Sequence, residues 1–123
     1  MLKKHWKILI WSLFIAVIML LALIDLNIVI PEKWASMDNV RHIAAFTVLI
    51  IISRITFPAC SLLKILFMLF VLGITIEVAQ ELFTNGIRKF YLMDVVNNAI
   101  GMTIGIAVVV TADIIKRSSK KSA

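Results

Sequence analysis

From Ile8 to Ile24 the chain runs without a single charge, and three more apolar stretches follow at about Val40–Phe57, Leu62–Phe83 and Val95–Ile115. Nothing else in the sequence restricts the fold so severely. The hydrocarbon core of a bilayer is about 30 Å thick, and a helix needs about 20 apolar residues to cross it. The chain has 123 residues, 62% hydrophobic and 16% charged. A soluble core of that size cannot hide so much apolar surface, because small domains leave a large share of their surface in water. In lipid each segment must satisfy its own backbone hydrogen bonds, so the stretches are helices. The expected fold is all-α: a polytopic membrane protein, one domain over residues 1–123, with four transmembrane helices bundled at about 8–24, 40–57, 62–83 and 95–115.

Lys3, Lys4 and Lys7 precede the first stretch in the manner of a secretory signal, but the run ends LALIDLNIV without an A-x-A-like cleavage pattern. An uncleaved anchor is expected. With both termini in the cytoplasm, nine of the thirteen Lys and Arg residues collect on the inner side, leaving Lys33, Arg41, Arg88 and Lys89 outside. This is the positive-inside arrangement. Arg54 and Lys64 then flank the tight turn FPACS and reach the inner interface. The net charge of +6 reports orientation and contact with anionic lipid, so no nucleic-acid partner is expected. The lone Cys60 forms no internal disulfide and no CxxC pair.

Polar groups inside membrane helices are costly, so each one asks for a reason. Here they gather toward the outer side: Asp38, Arg41 and His42 on the second helix, Glu77, Gln80 and Glu81 on the third, Asp94, Asn97 and Asn98 on the fourth. Asp38 and His42 are spaced i,i+4, as are Asp94 and Asn98, while Gln80 and Glu81 follow Glu77 at i+3 and i+4. Such spacings place each couple on one helix face, and an apolar bundle must turn those faces inward. Asp38 and His42 read as an acid–base couple or as a helix cap beside an interfacial histidine. Glu77 and Gln80 read as a proton, cation or headgroup site or as an interhelical hydrogen bond. Asp94 reads as a cap or a site residue, with Asn98 bonding across to Gln80. Arg88 reads as a phosphate contact or a surface ion pair. Gly101 and Gly105 form a GxxxG pattern for close helix approach, and Gly73 offers the same one turn before Glu77. His42, Asp38, Glu77 and Asp94 have donor types that suit a divalent metal. With no H-E-x-x-H or paired-histidine spacing, direct pairing ranks above ligation, and neither a metal nor a cofactor is expected.

Asp38-x3-His42, Glu77-x2-Gln80, Gly86, Arg88, Asp94-x3-Asn98 and Gly101-x3-Gly105 occur in this order. The set resembles the VanZ-like family of small bacterial membrane proteins over about residues 36 to 110. The chain has Asn39 where the family usually has Lys, and Arg88 leads into KFYLMD. The resemblance implies a multi-pass protein of the bacterial cell membrane and a link to teicoplanin-type glycopeptide resistance. It brings no settled activity.

The leading expectation is an outward-opening polar pocket that binds or modifies an envelope component, such as a polyprenyl-phosphate or peptidoglycan precursor. Glu77, His42 and Asp38 would be the catalytic candidates, and Gln80, Arg88, Asp94 and Asn98 the binding residues. Whether the chain is an enzyme stays open. One rival is a non-catalytic assembly or binding protein, with GxxxG as a partner or self-association face. The other is a small transporter, disfavoured by the apolar inner half of the third helix, ILFMLFVLG.

Overall fold

A computed structural model of the chain describes residues 2–23, 38–83 and 90–122, with no strand among the described residues. Four helices follow one another: α1 (Leu2–Leu23), α2 (Asp38–Thr56), α3 (Leu62–Phe83) and α4 (Leu92–Ser122). α2, α3 and α4 are each long and apolar enough to cross a membrane.

α3 covers the same residues as its apolar stretch, whereas α1 begins at Leu2 rather than Ile8 and α4 runs past Ile115 to Ser122. Apolar runs mark where lipid can be tolerated, but backbone hydrogen bonding continues beyond them. Lys and Arg are good helix formers. Lys120 and Lys121 also lie in the last turn of α4, where cations complement the helix dipole. At 1.5 Å per residue α4 is about 46 Å long, well beyond the hydrocarbon thickness of about 30 Å. Ser61 starts α3, its Oγ accepting from the backbone N–H of Lys64 at 3.3 Å, as an N-capping serine does.

The buried residues of α3 include Ile65, Leu69, Gly73, Ile76, Glu77 and Gln80; those of α4 include Asp94, Asn98, Gly101, Met102, Gly105 and Val109. Each set follows helical spacing along one face. That inward face is apolar at one end of the bundle and becomes polar at the other. The apolar end is built from Leu49, Ile50, Ile65 and Leu69, all at most 1% exposed.

α2 packs chiefly on α4, and the two approach to backbone distance. A Cβ on Gly101 would collide with the Ile43 carbonyl oxygen, and one on Gly105 would stand 2.8 Å from Ile50 Cβ and 3.0 Å from the Thr47 carbonyl oxygen. The hydroxyl of Thr47 lies 2.7 Å from the Ile43 carbonyl oxygen of its own helix and 3.0 Å from that of Gly101 across the seam. Small residues that admit a neighbouring backbone are the usual basis of tight helix pairs in lipid.

The end away from the polar face is tied differently. The α2–α3 turn closes with Cys60 N–H donating to the Phe57 carbonyl at 3.1 Å. Arg54 Nη1 donates to the carbonyls of Pro58 and Cys60 at 3.3 and 3.1 Å, while Nη2 stands 3.5 Å from Asp113 Oδ2 on α4. α1 docks there too. Its Trp11 donates Nε1–H to Ser53 Oγ at 2.8 Å and meets the Phe57 ring edge-on, centroids 5.1 Å apart. Ser53 is fully buried. The Trp11–Ser53, Thr47–Gly101 and Arg54–Asp113 contacts each have one member on α2.

Trp11→Phe keeps the ring contact and removes only the donor to Ser53. The expected loss is about 1 kcal/mol, measured as a lower unfolding midpoint by circular dichroism in detergent.

Candidate functional site

The polar end of the inward face brings three helices to one point. His42 lies one turn into α2, Glu77 six residues before the end of α3, and Asp94 in the first turn of α4. Because α3 runs opposite to α2 and α4, the late part of one meets the early parts of the others. Glu77 thus lies about 9 Å inside the end of α3.

His42 occupies the centre of this cluster. Its Nδ1 is 2.9 Å from Asn98 Oδ1 and 3.8 Å from Glu77 Oε1, and its Nε2 is 3.9 Å from Asp94 Oδ1. Asn98 Oδ1 can only accept, so that hydrogen bond places a proton on Nδ1 and leaves the Nε2 lone pair turned toward Asp94. The carboxylates stand beyond hydrogen-bond range of the ring but well within electrostatic reach. The Glu77 side chain is fully buried, whereas those of His42 and Asp94 keep 15% and 12% exposure. Access is therefore graded, with His42 and Asp94 toward the mouth and Glu77 sealed behind them.

Glycine shapes this centre as well as the seam. A Cβ on Gly73 would stand 3.1 Å from Asn98 Nδ2 and 3.2 Å from Phe46 Cζ. The missing side chain makes the space into which the Asn98 amide fits, and Asn98 in turn holds the His42 ring.

The expected residues distribute as follows. His42, Glu77, Asp94 and Asn98 come together, and Gln80 is buried one turn from Glu77 on the same face of α3. Asn98, expected to bond across to Gln80, directs its Oδ1 to His42 instead. The rotation of α4 against α2, set by Gly101 and Gly105, turns it that way. Asp38 is the first residue of α2, but its side chain lies outside the described residues, so its pairing with His42 is not described. Arg88 and Gly86 also lie outside the described residues. Glu81 is exposed.

The pairing of Asn97 with Asn39 is not foreseen in the sequence, where Asn97 stands among the outer polar residues without a partner. Asn97 is buried and donates Nδ2–H to Asn39 Oδ1 at 2.8 Å, a second polar tie between α4 and α2. The signal was present in the adjacency of Asn97 to Asn98, since a lipid-facing amide at that depth has no partner. Asn39 carried no such signal, because one position after Asp38 at a helix start it reads as solvated.

The fold and the site together define a small all-helical chain with three candidate membrane-spanning helices and a largely buried histidine–carboxylate centre at one end. No family model, curated protein or solved structure matches it.

Proposed function

We propose that this chain is a multi-pass protein of the bacterial cell membrane, VanZ-like in its motifs, that binds an anionic envelope component and exchanges a proton with it at the His42 centre. In this reading α1 is a fourth span and both termini are cytoplasmic. The exposed apolar side chains of Leu9, Ile10, Leu13, Val17 and Leu20 support a lipid-facing α1. Lys3, Lys4 and Lys7 at one end of α1, Arg54 and Lys64 at the α2–α3 turn and the basic end of α4 support the orientation.

One observation carries the reading: Glu77, fully buried, converges with His42 and Asp94 at the end of an otherwise apolar bundle. Burying a carboxylate adds nothing to the stability of such a bundle, and ionisable groups at membrane depth are functional by default. Asn98 holds the ring so that Nε2 takes the incoming proton. The proton then faces Asp94 from Nε2, while Glu77 stands beside Nδ1, and either carboxylate can pass a proton on. An imidazole held by an amide and faced by carboxylates is an ordinary acid–base device. Arg88 supplies a bidentate contact for a phosphate or pyrophosphate oxygen, and the motif resemblance directs the site to a polyprenyl-phosphate or peptidoglycan precursor.

The test is complementation. In the source bacterium, deletion of the gene is expected to change susceptibility to teicoplanin-type glycopeptides or other cell-wall inhibitors, and the wild-type gene is expected to restore it. Glu77→Gln, present in the membrane at the wild-type level, should fail to restore it. Full restoration by Glu77→Gln would make the polar face interhelical glue and the protein an assembly factor. Unchanged susceptibility in the deletion strain would remove the envelope reading.

A further inference from the structure

We infer that His42, Glu77 and Asp94 form a binding site for one divalent transition-metal ion of the zinc, manganese or iron(II) class. The site uses the same centre as the proposed function but does not depend on an envelope ligand.

One ring nitrogen of His42 and one carboxylate oxygen each from Glu77 and Asp94 lie within 4.8 Å of one another. Metal–ligand bonds to nitrogen and oxygen are about 2.0–2.2 Å, so donors sharing one ion stand at most about 4.3 Å apart. Carboxylate rotation closes a gap of that size without moving a helix. Glu77 at 3.8 Å from Nδ1 and Asp94 at 3.9 Å from Nε2 are both too far for direct hydrogen bonds from the ring, and it is the 4.8 Å spread of one donor from each residue that sets them around a common centre.

Charge points the same way. Among the described side chains at this end, the carboxyl groups of Glu77, Glu81 and Asp94 outnumber the Arg41 guanidinium. A divalent ion neutralises two carboxylates inside a low-dielectric bundle, where charge left unbalanced is most costly. One imidazole with two carboxylates is a mixed, rather hard donor set that favours these ions over soft cuprous copper.

The surroundings of the histidine complete the case. Histidines that bind metals generally donate their other ring N–H to an oxygen that fixes the tautomer. Asn98 Oδ1 occupies that place at Nδ1, which leaves Nε2 for the ion. Gly73 clears the space that lets Asn98 sit there. Three protein ligands leave a coordination position open, as in catalytic rather than structural zinc sites. That position lies on the His42–Asp94 side, where the centre keeps its exposure.

Full-length protein, purified in detergent and stripped with a chelator, is titrated with Co²⁺ and Zn²⁺. We expect one saturable Co²⁺ per chain with visible ligand-field bands, displaced by Zn²⁺. Glu77→Gln and Asp94→Asn should each weaken binding by 100-fold or more on the scale of a lost ligand, and Asn98→Ala by about 10- to 100-fold. Asn97→Ser, which disturbs the neighbouring polar tie, should leave affinity within about threefold. Circular dichroism shows whether each variant keeps its helices, and Asp94→Asn, at the partly exposed mouth, is the variant that decides if Glu77→Gln does not. No saturable binding, or equal binding by wild type and the folded ligand variants, overturns the inference. Because the titration contains no envelope component, it fails or succeeds independently of complementation. A metal-free protein that still needs Glu77 in cells would leave proton exchange standing.

Discussion

Gly101→Val is expected to leave little folded protein. The new side chain would enter space occupied by the Ile43 backbone, whose carbonyl oxygen already fills the position of a Cβ. A flexible side chain can turn away from such an intrusion, but backbone in the middle of a helix cannot. Overpacking of cores costs about 1–3 kcal/mol when side chains absorb it, so a collision with backbone belongs at or above about 3 kcal/mol by the same scale. The Thr47–Gly101 contact would be lost with it. Ile100→Val is the control, since Ile100 points outward at 43% exposure and should shift stability by no more than about 0.5 kcal/mol. The measurement is the yield of monodisperse protein and the midpoint of denaturant unfolding in micelles. A Gly101→Val protein with wild-type yield and midpoint would mean that α2 and α4 do not touch at this position.

Glu77→Ala carries the second large effect. It opens a cavity in a fully buried site and removes the carboxyl group around which His42 and its neighbours are arranged. Truncating a fully buried side chain of this size costs about 2–5 kcal/mol through the cavity and the lost contacts, and the loss of a polar partner for its neighbours acts in the same direction. Glu77→Gln keeps the volume and one oxygen, so its loss should stay near 1 kcal/mol, typical of a single hydrogen bond. Both values come from linear extrapolation of denaturant unfolding, with chelator present so that no bound metal contributes. A Glu77→Ala protein as stable as Glu77→Gln would show that the carboxylate is not embedded in its surroundings.

Much of this arrangement is legible in the sequence, for a definable reason. Apolar length announces membrane helices, and α3 can be read to its ends because Pro58 and the capping Ser61 precede it and the turn formers Thr84, Asn85 and Gly86 follow it in sequence. The convergence of His42, Glu77, Asp94 and Asn98 is foreshadowed by cost, since polar groups on an apolar helix must face inward. Spacing arithmetic works within a helix and stops at its surface. Which residue of α4 meets which residue of α2 depends on their mutual rotation and depth, set by how Gly101 and Gly105 admit Ile43 and Ile50. That is why Asn98 goes to His42 rather than Gln80, and why the Asn97–Asn39 and Trp11–Ser53 pairs are visible only in three dimensions. Asp113 belongs with these. In the sequence it is one acid before a basic tail, while in the fold it meets Arg54 from the next helix but one.

The concentration of polar ties on α2 bears on how the protein is made. His42, Thr47, Ser53 and Arg54 hold α2 to its neighbours, and the same groups make it the least apolar of the three candidate spans. Insertion machinery partitions each span by the transfer free energy of its side chains, and charged or strongly polar residues oppose that step. Asn98 and Gly101, which bond His42 and Thr47 across the seam, lie on α4, which leaves the ribosome after α2. In a membrane-inserted chain, we expect α2 to stay in the insertion channel, or shallow at the interface, until α4 arrives. Truncation before α4 is then expected to leave a chain that quality-control proteases recognise.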